Sequence, residues 1–263
     1  MSQKTLVVPS IVQFADRIMQ ASVRFGSRTE QLRSLIDEDR RAAEQRRNGD
    51  GHTIFCVFAA ALLERNVSGS SYQRRVGVFT CKFGDPRALT PEHAKSMIKE
   101  SGYRFPETGT RVLLELTAHL ASPTFSWPAY FAEAEARWED GFKDDPLFKI
   151  NGIGPKTRNF ALSEFLDHYC APDLHVCRMM ARTGLILHGY GDSAFSTDNP
   201  EFVRKVIVSL SKETGFPDRP GSLSPAFLDR MFWYYGQDRK RCDADPDCPE
   251  CPGRDICLTG SSR

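Results

Sequence analysis

The sequence predicts an all-α protein, on three observations. Apolar residues recur at helical spacing in one segment after another, helix-start signals stand ahead of several of them, and strand-like alternation is nowhere sustained. In chain order, Ser27-x-x-Glu30 reads as a capping box opening a charged helix. That helix carries Leu32, Leu35 and Ile36 on one side and stops at the turn signal Asn48-Gly49-Asp50-Gly51. Thr53 to Leu63 is a run of eleven uncharged residues, too short to span a bilayer, and reads as a buried core helix. Thr90-Pro91-Glu92 offers an N-cap, a proline at the first helical position and an early acid. Val112, Leu113, Leu116 and Leu120 share one helical face, as do Ala129, Phe131 and Ala132 after Pro128. Asp192 to Pro200 and Gly215 to Pro225 are turn-rich loops, and no internal repeat is present.

Composition narrows the class. A chain of 263 residues, 40% apolar and 26% charged, is ordinary for a soluble globular protein and long enough for one large domain or two small ones. The formal net charge is only +1, so any site for a polyanion must come from local clustering. Met1 to Pro9 lacks a charged segment followed by a long apolar one, so no secretory leader and no membrane partner are expected. Of eight cysteines, Cys56, Cys81, Cys170 and Cys177 are scattered, whereas Cys242, Cys248, Cys251 and Cys257 crowd into the last 22 residues. That distribution suits a bound metal in a reducing intracellular compartment better than a disulfide framework, and both a bacterial cytoplasm and a nucleus fit.

The segment Phe148-Lys-Ile-Asn-Gly-Ile-Gly-Pro-Lys-Thr-Arg158 carries the most chemistry. Gly152 and Gly154 permit tight turning and close backbone approach, and Pro155 is preorganised to start a helix. Bare amides at that helix start, near the positive end of its dipole, form an anion site that a DNA phosphate fits without sequence being read. The alternative is a plain helix–turn–helix connection with glycines for packing. Lys156 occupies the second position of the new helix. There the dipole disfavours the ammonium form, which suits a nucleophile. Asp173, in Ala-Pro-Asp-Leu-His-Val-Cys-Arg178, reads first as the N-cap of the next helix. A helix from Pro155 to about Leu166 climbs roughly 18 Å. An extended return through His168 to Pro172 covers roughly 16 Å, so the chain goes up and back, and Asp173 is expected near Lys156. An amine and a carboxylate beside an anion-binding hairpin would make a catalytic constellation.

On these residues the sequence resembles the helix-hairpin-helix DNA glycosylase superfamily, and most its endonuclease III branch. Asn151-Gly-Ile-Gly-Pro-Lys156 is similar to the family's Gly-x-Gly-x-Lys hairpin. Asp173-Leu-His-Val-Cys-Arg178 is similar to its Asp-x-His-hydrophobe-x-Arg block, and the C-terminal cysteines to its cluster motif. Leu62-Leu63-Glu-Arg-Asn66 falls where the family has a glutamine that fills the hole left by a flipped base, and Gly102-Tyr103 falls near its second wedge. The resemblance runs from about His52 to Cys257. It implies two helical domains with a DNA-binding cleft between them. One is a central domain, 51–167, ending in the hairpin; the other is discontinuous, 1–50 plus 168–263, and carries the cluster loop.

Cys242-x5-Cys248-x2-Cys251-x5-Cys257 offers four thiolates that by spacing alone suit either a [4Fe–4S] cluster or a structural zinc, and the resemblance favours iron–sulfur. The first gap is one residue shorter than the family's. The loop after Cys242 reads Asp243-Ala-Asp245-Pro-Asp247 where relatives are basic, leaving Arg239-Lys240-Arg241 and Arg254 as the nearby positive charge.

The activity implied is glycosidic bond cleavage on a flipped nucleotide in duplex DNA carrying a damaged or mismatched base. The implied protein is a monomer, with Lys156 and Asp173 catalytic and Gly152, Gly154, Asn66, Tyr103 and Arg178 contacting DNA. Lys156 further implies AP-lyase activity through a Schiff base. A monofunctional glycosylase, a non-catalytic damaged-DNA-binding protein and a zinc-stabilised interaction protein are the alternatives. Oxidised pyrimidine, oxidised purine, uracil and alkylated base are all compatible substrates.

Overall fold

In the computed structural model, residues 10–63, 69–85, 88–186, 200–238, 242 and 246–261 are described. The eleven-residue apolar run becomes helix α3 (Gly51–Leu62), in which every residue from Ile54 to Leu62 is buried. A helix apolar on all sides has to sit at the centre of its unit, and α3 does. Asp50 caps it, accepting from the Thr53 N–H at 2.7 Å. Around it lie α4 (Gly69–Lys82), α5 (Pro91–Glu100), α6 (Pro106–Leu120), α7 (Trp127–Ala136) and α8 (Pro155–Ser163). Helices α4 and α8 make the broadest contacts with α3, and α5 packs on α6. The Phe58 ring of α3 meets Trp127, Tyr130 and Phe165 at 5.1, 5.9 and 6.0 Å between centroids, binding α7 and the segment just after α8 to the same core. The Thr90-Pro91 signal is used as read: the Thr90 hydroxyl accepts from the His93 N–H, with Pro91 at the first helical position.

The second body holds α1 (Ile11–Ile18), a two-stranded antiparallel hairpin of β1 (Ser22–Phe25) and β2 (Arg28–Gln31), and the start of α2 (Leu32–Arg47). It also holds α9 (Leu174–Thr183), α10 (Pro200–Glu213), α11 (Pro225–Gln237) and the short α12 (Leu258–Ser261). Phe14 of α1 stacks on Phe232 of α11, and α9 lies along α11. Contacts thus divide the chain into Arg41–Ala171 and Met1–Arg40 with Pro172–Arg263. The first division falls within α2 rather than at the Asn48–Gly51 turn. Arg46 and Arg47, at the end of α2, pair with Glu164 and Glu135 of the Arg41–Ala171 unit, at 2.5 and 2.6 Å.

One expected element is corrected. Ser27-x-x-Glu30 does not open a helix; Phe25 pairs with Arg28 across a two-residue turn at Gly26 and Ser27. Gly26 has φ +60°, the left-handed geometry that a two-residue hairpin turn needs and that glycine adopts without strain. The helix starts at Leu32 instead, burying Leu32, Leu35 and Ile36 as expected. No helix among the described residues is long and apolar enough to cross a membrane. The Asp192–Asn199 stretch lies outside the described residues.

Candidate active site and cluster loop

The hairpin before α8 is built from its own backbone. The chain enters through a single 3-10 turn, Pro146–Lys149, capped by Asp145, whose Oδ1 accepts from the Leu147 N–H at 2.9 Å. Gly152 makes the reversal at φ +109°, and Ile153 anchors the loop in the core at 6% exposure. Gly154 is the N-cap of α8, with Pro155 following. Its N–H donates to the Thr157 hydroxyl at 3.2 Å. The first intrahelical bond runs from the Arg158 N–H to the Gly154 carbonyl, so the amides of Lys156 and Thr157 precede the ladder, the condition for an anion site. Lys156 is exposed.

Beneath the hairpin lies Arg158, 1% exposed. Its guanidinium donates to the Gly141 carbonyl, lies 3.5 Å from Asp145 Oδ2 and faces the Phe148 ring at 4.7 Å. Asp145 also accepts from the Tyr130 hydroxyl at 2.8 Å. Burial pushes the Asp145 carboxyl up, and burial with the neighbouring Asp145 charge pushes the Tyr130 hydroxyl up as well. A buried cation half-matched in this way is costly to disturb, so Arg158 fixes the first turn of α8 from inside. Its place in the sequence, at the end of a basic stretch, gave no signal of that burial.

Asp173 is the N-cap of α9, as the sequence suggests. Oδ1 accepts from the N–H groups of His175 and Val176 at 2.8 and 3.1 Å, and Oδ2 accepts from Trp233 Nε1 at 3.0 Å. Trp233 was not foreseen: it stands in Phe232-Trp-Tyr-Tyr235, an aromatic run of α11 that reads simply as core. His175 Nδ1 lies 3.2 Å from the Gly236 carbonyl, which only accepts, so this nitrogen carries the proton. Arg178 is half-buried one turn along α9. Lys156 and Asp173 belong to different units, and each is described within its own.

The wedge residues fare differently. Asn66 lies outside the described residues. Tyr103 is buried. It is 5% exposed, with the Arg75 guanidinium 5.5 Å above its ring and Gly109 so close that a Cβ there would sit 2.7 Å from Tyr103 Cδ1. Two residues on, Phe105 is 43% exposed. A cavity of about 890 Å³ near the Asn48–Gly51 turn, with Phe55, Phe125 and Trp127 in its wall, is lined by none of the candidate residues.

In the cluster loop, backbone turns follow one another: Cys251 N–H to Cys248 O, Arg254 N–H to Cys251 O and Cys257 N–H to Arg254 O. Burial pushes the Cys242 thiol up to about 11 against a lowering by Arg182, with Cys257 and Cys251 adding to the rise. Cys257 is raised by burial first, then by Cys251 and Cys248. Arg182 donates to the Cys242 carbonyl at 3.0 Å and reaches its Sγ at 3.7 Å, and the Tyr235 hydroxyl donates to Cys251 Sγ at 3.1 Å. Among the described residues no group of His, Cys, Asp or Glu is drawn together as tightly as a bound ion requires. The donor chemistry nonetheless fits a thiolate-bound group: Cys242 and Cys257 each feel neighbouring cysteines, and the sulfurs of Cys242 and Cys251 face hydrogen-bond donors that offset thiolate charge. Asp243 to Asp245 and Arg239 to Arg241 lie outside the described residues.

No protein-family model matches the chain, and no curated protein matches it in sequence. Solved structures do match it. An endonuclease III–DNA covalent intermediate, trapped as an estranged-adenine complex, aligns with 89% of this chain and 97% of its own, at 20% identity and a TM-score of 0.53. The 8-oxoguanine DNA glycosylase of Thermotoga maritima aligns over 79% and 98%, at 19% identity and a TM-score of 0.50. The chain thus has the fold of the helix-hairpin-helix DNA glycosylases.

Proposed function

We propose that this protein is a DNA glycosylase of base excision repair, acting on duplex DNA with a damaged base and also cleaving the strand through an imine on Lys156. The observation that carries the reading is Asp173. It caps α9 within Asp173-Leu-His-Val-Cys-Arg178, its two oxygens fixed by three N–H donors, in a chain whose other unit presents an exposed lysine on a glycine hairpin. The resemblance to glycosylases in fold supports the same reading.

In this mechanism the unladdered amides of α8 hold a backbone phosphate while the target nucleotide is extruded. Extrusion costs a few kcal/mol and selects bases already weakly paired. The neutral Lys156 amine attacks the anomeric carbon, the bond from that carbon to the base breaks, and the base leaves with the electron pair and takes up a proton. Asp173 opposes positive charge developing on the sugar and assists the amine in losing its protons. Opening of the sugar ring then gives the imine; loss of a proton from the adjacent C2′ carbon forms a carbon–carbon double bond as the bond from C3′ to the 3′ phosphate breaks and the phosphate leaves with the electron pair. Cys242, Cys248, Cys251 and Cys257 would hold a [4Fe–4S] cluster, whose contribution when bound is to cross-link the loop.

Borohydride trapping tests this directly. Added during reaction with a panel of lesion duplexes, borohydride should reduce the imine and leave a covalent protein–DNA adduct. Lys156→Gln should bind DNA but give no adduct, and Asp173→Asn should cut excision by about a hundredfold or more. Absence of an adduct from the unaltered protein on every lesion it processes would remove the lyase step.

A further inference from the structure

We infer that Trp233 is a positioning residue for Asp173, setting the orientation of the carboxylate through its indole N–H; the inference rests on the glycosylase reading above. An N-cap needs one oxygen. Both capping amides, of His175 and Val176, go to Asp173 Oδ1, which leaves Oδ2 with no part in the cap. The indole of Trp233 donates to that second oxygen at 3.0 Å. With Oδ1 held by the helix and Oδ2 by the indole, rotation of the carboxylate about its terminal bond is blocked, and the remaining lone pairs point in one fixed direction. A carboxylate that only capped α9 would be indifferent to this second hold.

The indole is backed by β1, and its helix is fixed against α9. Phe25 of β1 meets the Trp233 ring edge-on at 5.9 Å and Tyr234 at 5.2 Å. β1 is fixed to the end of α11 by two bonds, from Gln237 Nε2 to the Arg24 carbonyl at 3.0 Å and from the Arg24 N–H to Asp238 Oδ2 at 2.8 Å. On the α9 side, His175 Nδ1 reaches the Gly236 carbonyl, and Gly236 lies so close that a Cβ would stand 2.7 Å from Met179 Cγ. The short β hairpin, which interrupts an otherwise helical chain, thereby acquires a purpose: it backs the ring that aims the carboxylate.

The test uses the full-length protein and a duplex carrying a single abasic site, which needs no knowledge of the lesion. Trp233→Phe keeps the ring and removes the donor. It should slow borohydride-trapped adduct formation on the order of tenfold while duplex affinity and thermal midpoint stay near those of the unaltered protein. Independently, the protein has three tryptophans. In a ¹⁵N-indole spectrum one resonance should move in Asp173→Asn, a measurement that stands even where Trp233→Phe does not fold. Unaltered trapping by Trp233→Phe, with Asp173→Asn slow, would overturn the inference and leave the glycosylase reading intact. So would three unmoved indole resonances in Asp173→Asn. Full-rate trapping and excision by Asp173→Asn would instead sink that reading itself.

Discussion

Gly152 and Gly154 stand two residues apart and are demanded for different reasons. Gly152 has φ +109°, a backbone geometry hostile to any side chain, so Gly152→Ala should cost about 1–2 kcal/mol of stability. Gly154 has φ −108° and nothing within 4 Å of where a Cβ would stand. The isolated fold gives no reason for glycine there. A phosphate approaching the amides of Lys156 and Thr157 does, because a methyl would stand in its path. Gly154→Ala should therefore melt within about 0.5 kcal/mol of the unaltered protein yet bind duplex DNA more weakly across all sequences. Calorimetry beside a binding titration separates the two effects, and unchanged affinity would deny the hairpin a phosphate. The Gly-x-Gly-Pro-Lys spacing was legible because turn chemistry is local. Arg158 and Trp233 were not, since their partners, Asp145 for the one and Asp173 for the other, lie outside the local turn pattern that the sequence displays.

At the scale of elements, α9 and α11 form the support of Asp173, and their separation is set at Gly236. A Cβ at Gly236 would meet Met179 Cγ at 2.7 Å and the His175 carbonyl oxygen at 3.0 Å. The Met179 side chain can shift; the His175 backbone cannot without moving the first turn of α9, where Asp173 sits. Gly236→Ala should thus cost about 1–3 kcal/mol and also slow adduct formation, by pushing the cap away from the indole. A loss of stability at full trapping rate would mean that the carboxylate tolerates the displacement. Of the elements, α3 was readable from a continuous apolar run, α5 from a Thr cap with proline, and α7 from apolar residues at helical spacing after Pro128. The β hairpin was not. Ser27 and Glu30 satisfy a capping-box pattern, and only Gly26, one residue before, tips the chain into a turn. The arm leading to the glycine hairpin is one 3-10 turn, because Asp145 and Pro146 start it only a few residues before Ile150.

Across the whole molecule, the net charge of +1 supplies no general field for a polyanion, so the proposed DNA binding would have to rest on placed groups such as the α8 amides. The same economy applies to stability in the cluster loop. Among its described residues only Cys248, Gly253, Gly260 and Pro246 are buried. Its attachments are Gly253 against Phe14 of α1, the exposed Arg17–Asp255 pair, Leu258 against Gly184 and the hydrogen bonds from Arg182 and Tyr235. Surface pairs of the Arg17–Asp255 kind contribute less than about 1 kcal/mol. A segment with so little apolar burial does not hold itself, and the Cys242 and Cys257 thiols, raised by burial and then by neighbouring cysteines, gain from a cation among them. Cys251→Ser preserves an acceptor for the Tyr235 hydroxyl but removes one sulfur. It should abolish the broad visible absorbance expected of an iron–sulfur protein and lower the thermal midpoint by about 10 °C. Limited proteolysis should then enter Pro172–Arg263 before Arg41–Ala171, since the loop is built onto the former. Stoichiometric zinc in a colourless unaltered protein would replace iron–sulfur while keeping the structural argument. A Cys251→Ser protein that melts and resists protease like the original would defeat that argument, leaving the cysteines without a part in holding the unit together.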